Sequence, residues 1–198
     1  MADEVKLRGD GADGLFRSLP IEPMNVDAAG RWWVIEAVRD QDRLLQASEG
    51  FDIFPFGLLL WESAIALADE LALRPALVQG ARVLELGAGV GLAGMAAAFL
   101  GGAVTQTDHN PCALALSRRN AAANGLLGIA TRPGDWTAWE AGEHYDLVIG
   151  ADILYEATLY PAIEAVLEIS LAEGGRALLT DPNRTHAPAF IERLQAAG

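Results

Sequence analysis

Residues 83–92 read VLELGAGVGL, and this stretch decides the fold. Its first four residues are a mostly apolar run typical of a buried strand, and Gly87, Gly89 and Gly91 follow at once. Glycine accepts a positive φ and lets a ligand approach the backbone, and the free N–H groups of a following helix bind anions. The stretch therefore predicts a strand-to-helix turn that holds a nucleotide-like cofactor, or a glycine turn that packing alone requires.

Charge favours one of the two cofactors that fit this turn. Residues 89–94 match the dinucleotide pattern G-x-G-x-x-G, and Asp108 lies where such a fold places its ribose-binding acid. However, residues 83–117 contain no Lys or Arg, whereas Glu85 is part of the turn itself. These acids would repel a pyrophosphate but attract the sulfonium and ammonium groups of S-adenosylmethionine, whose ribose hydroxyls Asp108 could bind. S-adenosylmethionine is therefore favoured over NAD.

Strands and helices alternate around the turn. The uncharged stretch from Leu86 to Thr107 contains six glycines, so we interpret it as two buried elements rather than a membrane span. Apolar runs bounded by Gly and Pro predict strands at Arg31–Val38, near Leu44–Ala47, and at Arg82–Leu86, Ala103–Asp108, Gly128–Arg132, Tyr145–Ala151 and Arg176–Asp181. Helices are predicted at Leu58–Leu73, Val90–Leu100, Pro111–Asn124, Pro161–Leu171 and Pro188–Ala197. This alternation predicts an α/β fold with a parallel sheet, in which ligands bind at the carboxyl ends of the strands.

The length of 198 residues corresponds to one domain. We expect residues 1–30 to form a flexible tail and residues 31–198 to form a single domain. The polar, acidic start of the chain is not a signal peptide.

Composition excludes several functions. The net charge of −13 disfavours nucleic-acid and membrane-surface binding. Lys6 is the only lysine, which argues against a Walker loop and Schiff-base chemistry, and Cys112 is the only cysteine, which excludes an internal disulfide. The three histidines lack metal-ligand spacing, so no metal site is expected. A reducing cytoplasm fits best.

Several motifs together resemble a known family. Trp61-Glu62-Ser63-Ala64 precedes the glycine turn, Thr107-Asp108 and Gly134-Asp135-Trp136 follow it, and YDLVIGADILY occupies residues 145–155. With VLELGAGVGL, these resemble the seven-strand protein methyltransferases of family 16, which includes lysine methyltransferases of chaperones and of electron-transfer flavoprotein. The resemblance covers about residues 33–181 and implies a Rossmann-like class I methyltransferase fold with S-adenosylmethionine as cofactor.

The resemblance also implies functional residues. Asp152 and Tyr155 match the D-x-x-Y signature, which would orient the lysine of a protein substrate. The positions that match cofactor contacts of the family are Trp61, Glu85, Gly87, Ala88, Gly89, Asp108, Trp136 and Ala151. The residues themselves suggest two further cofactor contacts, Gly91 in the turn and Asp135 as an acceptor for the adenine amine.

Structural explanations of the signature stay open. Asp152 would also suit a helix N-cap, and Tyr155 would suit core packing. A small-molecule N- or O-methyltransferase and a non-catalytic cofactor-binding domain are the alternatives to a lysine methyltransferase. One departure concerns the sheet, because the antiparallel hairpin that ends the sheet in this family is expected to be missing or truncated here.

Overall fold

A five-stranded parallel sheet forms the centre of the computed structural model, which describes residues 19–47 and 55–197. Short 3₁₀ turns lie at residues 56–58, 75–77, 136–138 and 157–159. In chain order the elements are β1 (Ile21–Ala28), β2 (Arg31–Val38), α1 (Gln41–Ala47), α2 (Glu62–Leu73), β3 (Arg82–Leu86), α3 (Leu92–Phe99), β4 (Ala103–Asp108), α4 (Pro111–Ala123), β5 (Ala130–Pro133), β6 (Tyr145–Ala151), α5 (Tyr160–Ser170), β7 (Leu171–Thr180) and α6 (Ala187–Ala197).

The strand order of the sheet is β5-β4-β3-β6-β7, and every neighbouring pair is parallel. The chain runs outward from β3 through β4 to β5, then returns to β6 on the other side of β3. In doubly wound sheets a ligand binds at such a reversal, outside the carboxyl ends of the strands. The order therefore places the residues that follow β3, β4 and β6 around one crevice.

Successive side chains of the central strands point to opposite faces of the sheet, and helices cover both faces. Val83 and Leu147 pack with apolar residues of α2 and α3. Leu84 and Val148 point the other way and pack with α5 and α6. Because both faces are covered, β3 and β6 are mostly apolar, which explains why the sequence predicted their bounds correctly.

An N-terminal hairpin corrects the predicted 30-residue tail. β1 pairs antiparallel with β2 from Ile21↔Val38 to Ala28↔Arg31, so the ordered chain begins before residue 31. Residues 1–18 lie outside the described residues. The sequence did not predict β1 because Pro23 and several polar residues interrupt its strand pattern. The turn of the hairpin is Ala29-Gly30, with φ of 53° and 71°, rather than the common Asn-Gly.

Asn120 of α4 and Asn124, the residue that follows this helix, hold the hairpin against the rest of the molecule. The amide of Asn120 accepts from the Glu36 N–H at 2.8 Å and donates to the Glu36 carbonyl at 3.0 Å and the Val90 carbonyl at 2.9 Å. Asn124 exchanges the same pair of bonds with Val34, at 3.0 and 2.8 Å. The two side chains therefore occupy the edge of β2 as a neighbouring strand would.

Three other predictions need correction. The expected strand near Leu44–Ala47 is helix α1, because Asp40 accepts from the next backbone N–H groups and starts a helix. The helix predicted from Leu58 begins at Glu62, since Leu59 is extended and bridges to β2. β7 begins at Leu171 and is irregular around residues 172–175, where the sequence predicted a turn before residue 176.

The uncharged stretch from Leu86 to Thr107 forms α3 and β4, as predicted. In the described part of the chain no helix is long and apolar enough to cross a bilayer. The described residues contain no antiparallel hairpin beyond β7, and β7 is an edge strand of the sheet.

We expect Asn120→Ala to lower the free energy of unfolding by about 2–3 kcal/mol, because it leaves backbone groups of β2 and of the glycine turn without partners. Urea unfolding monitored by circular dichroism would measure the change. Asn25→Ala, at an exposed position of β1, is the matched control and should change stability by less than about 0.5 kcal/mol. Equal losses in the two variants would contradict the role assigned to Asn120.

Candidate active site

A cavity of about 340 Å³ opens at the carboxyl ends of β3, β4 and β6. This volume lies within the range of about 300–1,000 Å³ typical of small-molecule sites. Its walls come from six chain segments: the turn before α2 with the start of that helix, the glycine turn after β3, the end of β4, and the segments after β5, β6 and β7. Predicted site residues that line it are Trp61, Glu85, Gly87, Ala88, Gly89, Asp108, Trp136, Ala151, Asp152 and Tyr155.

The glycine turn presents bare backbone to this cavity. Gly87 has a φ of 64°, and a Cβ there would lie 3.0 Å from Cγ2 of Ile153 and 3.3 Å from Cζ2 of Trp136. Gly89 has a φ of 54°, and a Cβ there would lie 3.2 Å from the carbonyl oxygen of Gly57. Side chains at these positions would therefore fill the space between the turn and its neighbours.

Glu85 borders the cavity and also supports the glycine turn from beneath. Its Oε1 accepts from the Gly94 N–H at 3.0 Å, and its Oε2 accepts from Nε2 of Gln106 at 2.8 Å. Gly94 is in the first turn of α3, so Glu85 caps this helix from the strand below it. A Cβ at Gly94 would overlap Oε2 of Glu85. Glu85 also lines the cavity, so its contact with the cofactor stays a prediction beside this supporting role. The third glycine of the G-x-G-x-x-G match makes room for the carboxylate.

Gly91 likewise supports the turn from outside the cavity. Its φ is 88°, and its carbonyl accepts from Nε2 of Gln106 at 3.0 Å. A Cβ there would lie 2.7 Å from Cβ of Ser117 on α4. Gly91 does not line the cavity, so the sequence prediction of a direct cofactor contact is corrected to a packing role.

Asp108 ends β4 with its carboxylate at the cavity wall. Its Oδ2 accepts from the Gly89 N–H at 2.9 Å, and its Oδ1 accepts from the Asn110 N–H at 2.8 Å. The side chain is only 6% exposed, and burial raises its pKa. A buried carboxylate with remaining acceptor capacity suits a pair of hydroxyl groups.

Two tryptophans line the cavity, one before the glycine turn in the chain and one after it. Nε1 of Trp61 donates to the Phe56 carbonyl at 3.1 Å, which fixes its ring beside the turn before α2. Trp136 lies against Gly87. Asp135, which was predicted to accept a hydrogen bond from the adenine amine, is exposed and does not line the cavity. Its Oδ1 accepts from the N–H and the hydroxyl of Thr137, and these hydrogen bonds lower the pKa of Asp135.

The D-x-x-Y residues face the same cavity after β6. Asp152 has a φ of 60°, and its N–H donates to the Thr180 carbonyl at 2.9 Å. The next α-helix after Asp152 begins only at Tyr160, so the helix-cap explanation of Asp152 is wrong. Tyr155 is half exposed rather than part of the core, and partial burial, together with Asp108 and Glu156, raises its pKa.

Sequence reasoning missed the partner of Asp152. The guanidinium of Arg184, from the turn after β7, forms an ion pair with Asp152 and a second one with Asp181 at 2.8 Å. Arg184 also lines the cavity. Nothing local in the sequence links residue 184 to residue 152, although the position of Asp181 at a strand end pointed to this edge of the sheet. Gly57 and Phe56, in the turn before α2, were missed for the same reason.

The lysine methyltransferase family model matches residues 39–197 of the chain. The chain belongs to this family. EEF1A lysine methyltransferase 3 of Mus musculus is 34% identical over 142 residues, which cover 68% of this chain and 60% of that protein. The protein N-lysine methyltransferase METTL21A of Danio rerio is 38% identical over 120 residues, with 56% and 53% covered. The chain thus spans about half to three fifths of the length of these curated relatives.

Solved structures confirm the predicted fold class. The 16S rRNA N2 G1207 methyltransferase of T. Thermophilus superposes with a TM-score of 0.64 at 18% identity, covering 87% of this chain and 45% of that one. The ribosomal protein L11 methylase of Lactobacillus delbrueckii gives 0.59 at 24%, covering 70% and 69%. The glycopeptide N-methyltransferase MtfA, complexed with sinefungin, gives 0.50 at 27%, covering 60% and 54%. The chain therefore has the Rossmann-like methyltransferase sheet that the motifs implied.

The environment of Glu85 predicts a pH dependence of stability. Burial raises its pKa from an ordinary 4.5 to about 7, so between these values the folded protein holds a proton that the unfolded chain has lost. The free energy of unfolding should therefore fall as the pH rises from about 4.5 to about 7 and then level off. Glu85→Gln cannot lose a proton, so we expect it to reduce this slope in urea unfolding at fixed pH. Asp108, whose pKa is also raised, retains a slope of the same sign.

Asp146→Asn is the control for this experiment. Hydrogen bonds from Arg82 lower the pKa of Asp146 from 3.8 to about 2, so its stabilising effect is present above pH 3.8 and is lost below it. The control should therefore leave the slope between pH 5 and 7 unchanged. Identical slopes there for wild type and Glu85→Gln would show that Glu85 does not titrate in this range.

Proposed function

We propose that the protein is an S-adenosylmethionine-dependent protein N-lysine methyltransferase. One observation carries the proposal: in a chain of this family, the glycine turn with Asp108 and the pair Asp152 and Tyr155 line one cavity. A cofactor pocket and an acceptor site thus share a wall, as methyl transfer between two bound molecules requires.

The cofactor end fits S-adenosylmethionine by its chemistry. Gly87 and Gly89 leave a cradle that a Cβ would fill, and the acceptor capacity of Asp108 suits ribose hydroxyls. Trp61 and Trp136 offer aromatic surface to a cationic ligand and exclude water from it. When bound, the cofactor supplies an electrophilic methyl group, whose bond to sulfur breaks, with the electron pair leaving on sulfur, as the lone pair of the acceptor nitrogen forms the new bond.

The acceptor end suits an amine. A lysine ammonium has no lone pair, so it must lose a proton before transfer. Asp152 and Tyr155 provide oxygen atoms that can hold and align the amine, and Ile153 and Leu59 provide apolar wall that disfavours its charged form. Proximity and orientation then supply most of the rate, since no covalent enzyme intermediate is needed.

The proposed substrate is a protein that presents a lysine. The relatives are named for methylation of lysine in EEF1A and in the β subunit of electron-transfer flavoprotein. The net charge of −13 would steer a basic partner towards the site. Since Cys112 is a buried free thiol, we also propose a reducing, cytoplasmic setting.

A small-molecule acceptor is the second candidate. It is favoured by the 27% identity to the glycopeptide N-methyltransferase MtfA. Its acceptor would bind in the same part of the cavity as a lysine side chain. The two candidates are therefore distinguished by whether the transferred label is found in protein or in small molecules.

Asp108→Asn tests the cofactor end. We expect weaker S-adenosylmethionine binding by about 1.5–3 kcal/mol in calorimetry, because a charge-assisted acceptor is lost. Asp135→Asn, outside the cavity, is the matched control and should bind as wild type does. NAD binding without S-adenosylmethionine binding by the wild type would overturn the assignment.

Asp152→Asn tests the acceptor end. The amide tolerates the left-handed backbone but lacks the charge, so fold and cofactor affinity should persist while turnover falls about 100-fold or more. Tyr155→Phe should lose less, since the ring still packs. The assay is transfer of label from S-adenosylmethionine into lysate proteins, with hydrolysis to identify methyl-lysine.

Each location of the label has a meaning. Methyl-lysine in a protein supports the proposal, label in the small-molecule fraction supports the second candidate, and no turnover supports a non-catalytic domain. Unchanged turnover in Asp152→Asn would remove that residue from the acceptor site.

A further inference from the structure

The ion pair behind Asp152 is part of a larger charge arrangement. The guanidinium of Arg184 contacts Asp152 and Asp181, and the Arg184 N–H donates to Oδ1 of Asp181 at 2.7 Å. The two carboxylate side chains are only 8% and 4% exposed. One cation therefore compensates two enclosed carboxylates, and the triad carries a net charge of −1.

The arrangement borders the cavity rather than lying beneath it. Asp152 and Arg184 both line the wall, and Asp152 is directed there by its left-handed backbone and by the bond of its N–H to β7. Hydrogen bonds to the two carboxylates outweigh the effect of burial and raise the pKa of Arg184, so the guanidinium stays charged.

Other charged groups around the acceptor end are mostly acidic. Those that line the cavity are Asp108 and His109 at the end of β4, Tyr155 and Glu156 after β6, and Glu85 below the glycine turn. Asp181 after β7 and Glu62 at the start of α2 line the neighbouring cavity. Among the residues that the structure describes, Arg184 is the only guanidinium in the cavity wall. Without it, the permanent charges of the site would all be negative.

Negative charge alone would oppose methyl transfer to an amine. A carboxylate within about 4–6 Å of an ammonium favours the charged form, and lysine already has an ordinary pKa of about 10.4. A cation at a similar distance has the opposite effect. An acceptor site that binds lysine through acids therefore needs a compensating cation to release the proton.

We propose that Arg184 is a positioning residue that makes Asp152 an acceptor of a hydrogen bond from the neutral amine instead of a counter-ion that retains the ammonium. The proton passes to bulk water, since Asp152 is held by the guanidinium. This inference rests on the proposed lysine methyltransferase function.

Arg184→Gln tests it through the pH profile. The triad would change from −1 to −2, so the ascending limb of kcat/KM against pH should move up by about one pH unit. Turnover should fall about tenfold at pH 7 and recover at alkaline pH, with KM unchanged or lower. Arg184→Lys keeps the cation and should return the limb towards its wild-type position.

Asp181→Asn should shift the ascending limb of the pH profile in the opposite direction. It changes the triad from −1 to 0 while Asn can still accept from the Arg184 N–H, so the limb should move to lower pH. Arg193→Gln is the matched control, because Arg193 pairs with Glu164 at 2.7 Å on the exposed side of α6. Its profile should equal that of the wild type.

A binding measurement complements turnover. n-Butylammonium, a mimic of the lysine side chain, is titrated into protein saturated with S-adenosylhomocysteine and followed by calorimetry. Arg184→Gln should bind it several-fold more tightly at pH 7, whereas Arg193→Gln should not. Melting curves and S-adenosylhomocysteine affinity verify that each variant is folded.

The outcomes separate the two proposals. Wild-type transfer to protein lysine with an equal loss in Arg184→Gln at every pH would make Arg184 structural and overturn the inference alone. If Arg184→Gln does not fold, an unshifted limb in Asp181→Asn overturns it instead. Absence of transfer to any protein lysine by the wild type overturns the proposed function and this inference with it.

Discussion

The buried carboxylate of Glu85 joins the three pieces of backbone on which the site depends. It belongs to β3, caps α3 through the Gly94 N–H, and binds Gln106 of β4, which in turn donates to the Gly91 carbonyl. Charge-assisted hydrogen bonds of this kind are strong, but burial opposes the charge and raises the pKa of Glu85 to about 7. The shape of the glycine turn follows from this balance, and with it the exposure of bare backbone to the cavity.

The second wall of the cavity depends on contacts that are remote in sequence. Gly57 lies against Gly89 and close to Asp108, so the turn before α2 closes over the glycine turn. β2 is bridged to that turn at Leu59 and is bound to α4 by Asn120 and Asn124. The hairpin therefore contributes to the site although none of its residues lines the cavity.

The charges of the site form two groups with different partners. Asp108 is held by backbone N–H groups, which leaves it negative towards a ligand. Asp152 is held by a guanidinium that it shares with Asp181. In the proposed function, the first environment suits neutral hydroxyls and the second suits an amine that must become neutral.

The sequence by itself determined the parallel sheet, the glycine turn, and the acids at the ends of β4 and β6. Strands buried on both faces are continuous apolar runs, and glycine turns and D-x-x-Y are local patterns, so Val83–Leu92 and Asp152 could be read directly. The tertiary structure decided what local patterns do not encode. It gave Glu85 partners beneath the glycine turn and left Gly91 and Asp135 outside the cavity lining. It paired β1 with β2 despite the weak strand propensity of β1, and it brought Arg184 to Asp152. These outcomes depend on which remote groups meet, because a buried charge takes its partner from the folded neighbourhood rather than from its neighbours in the chain.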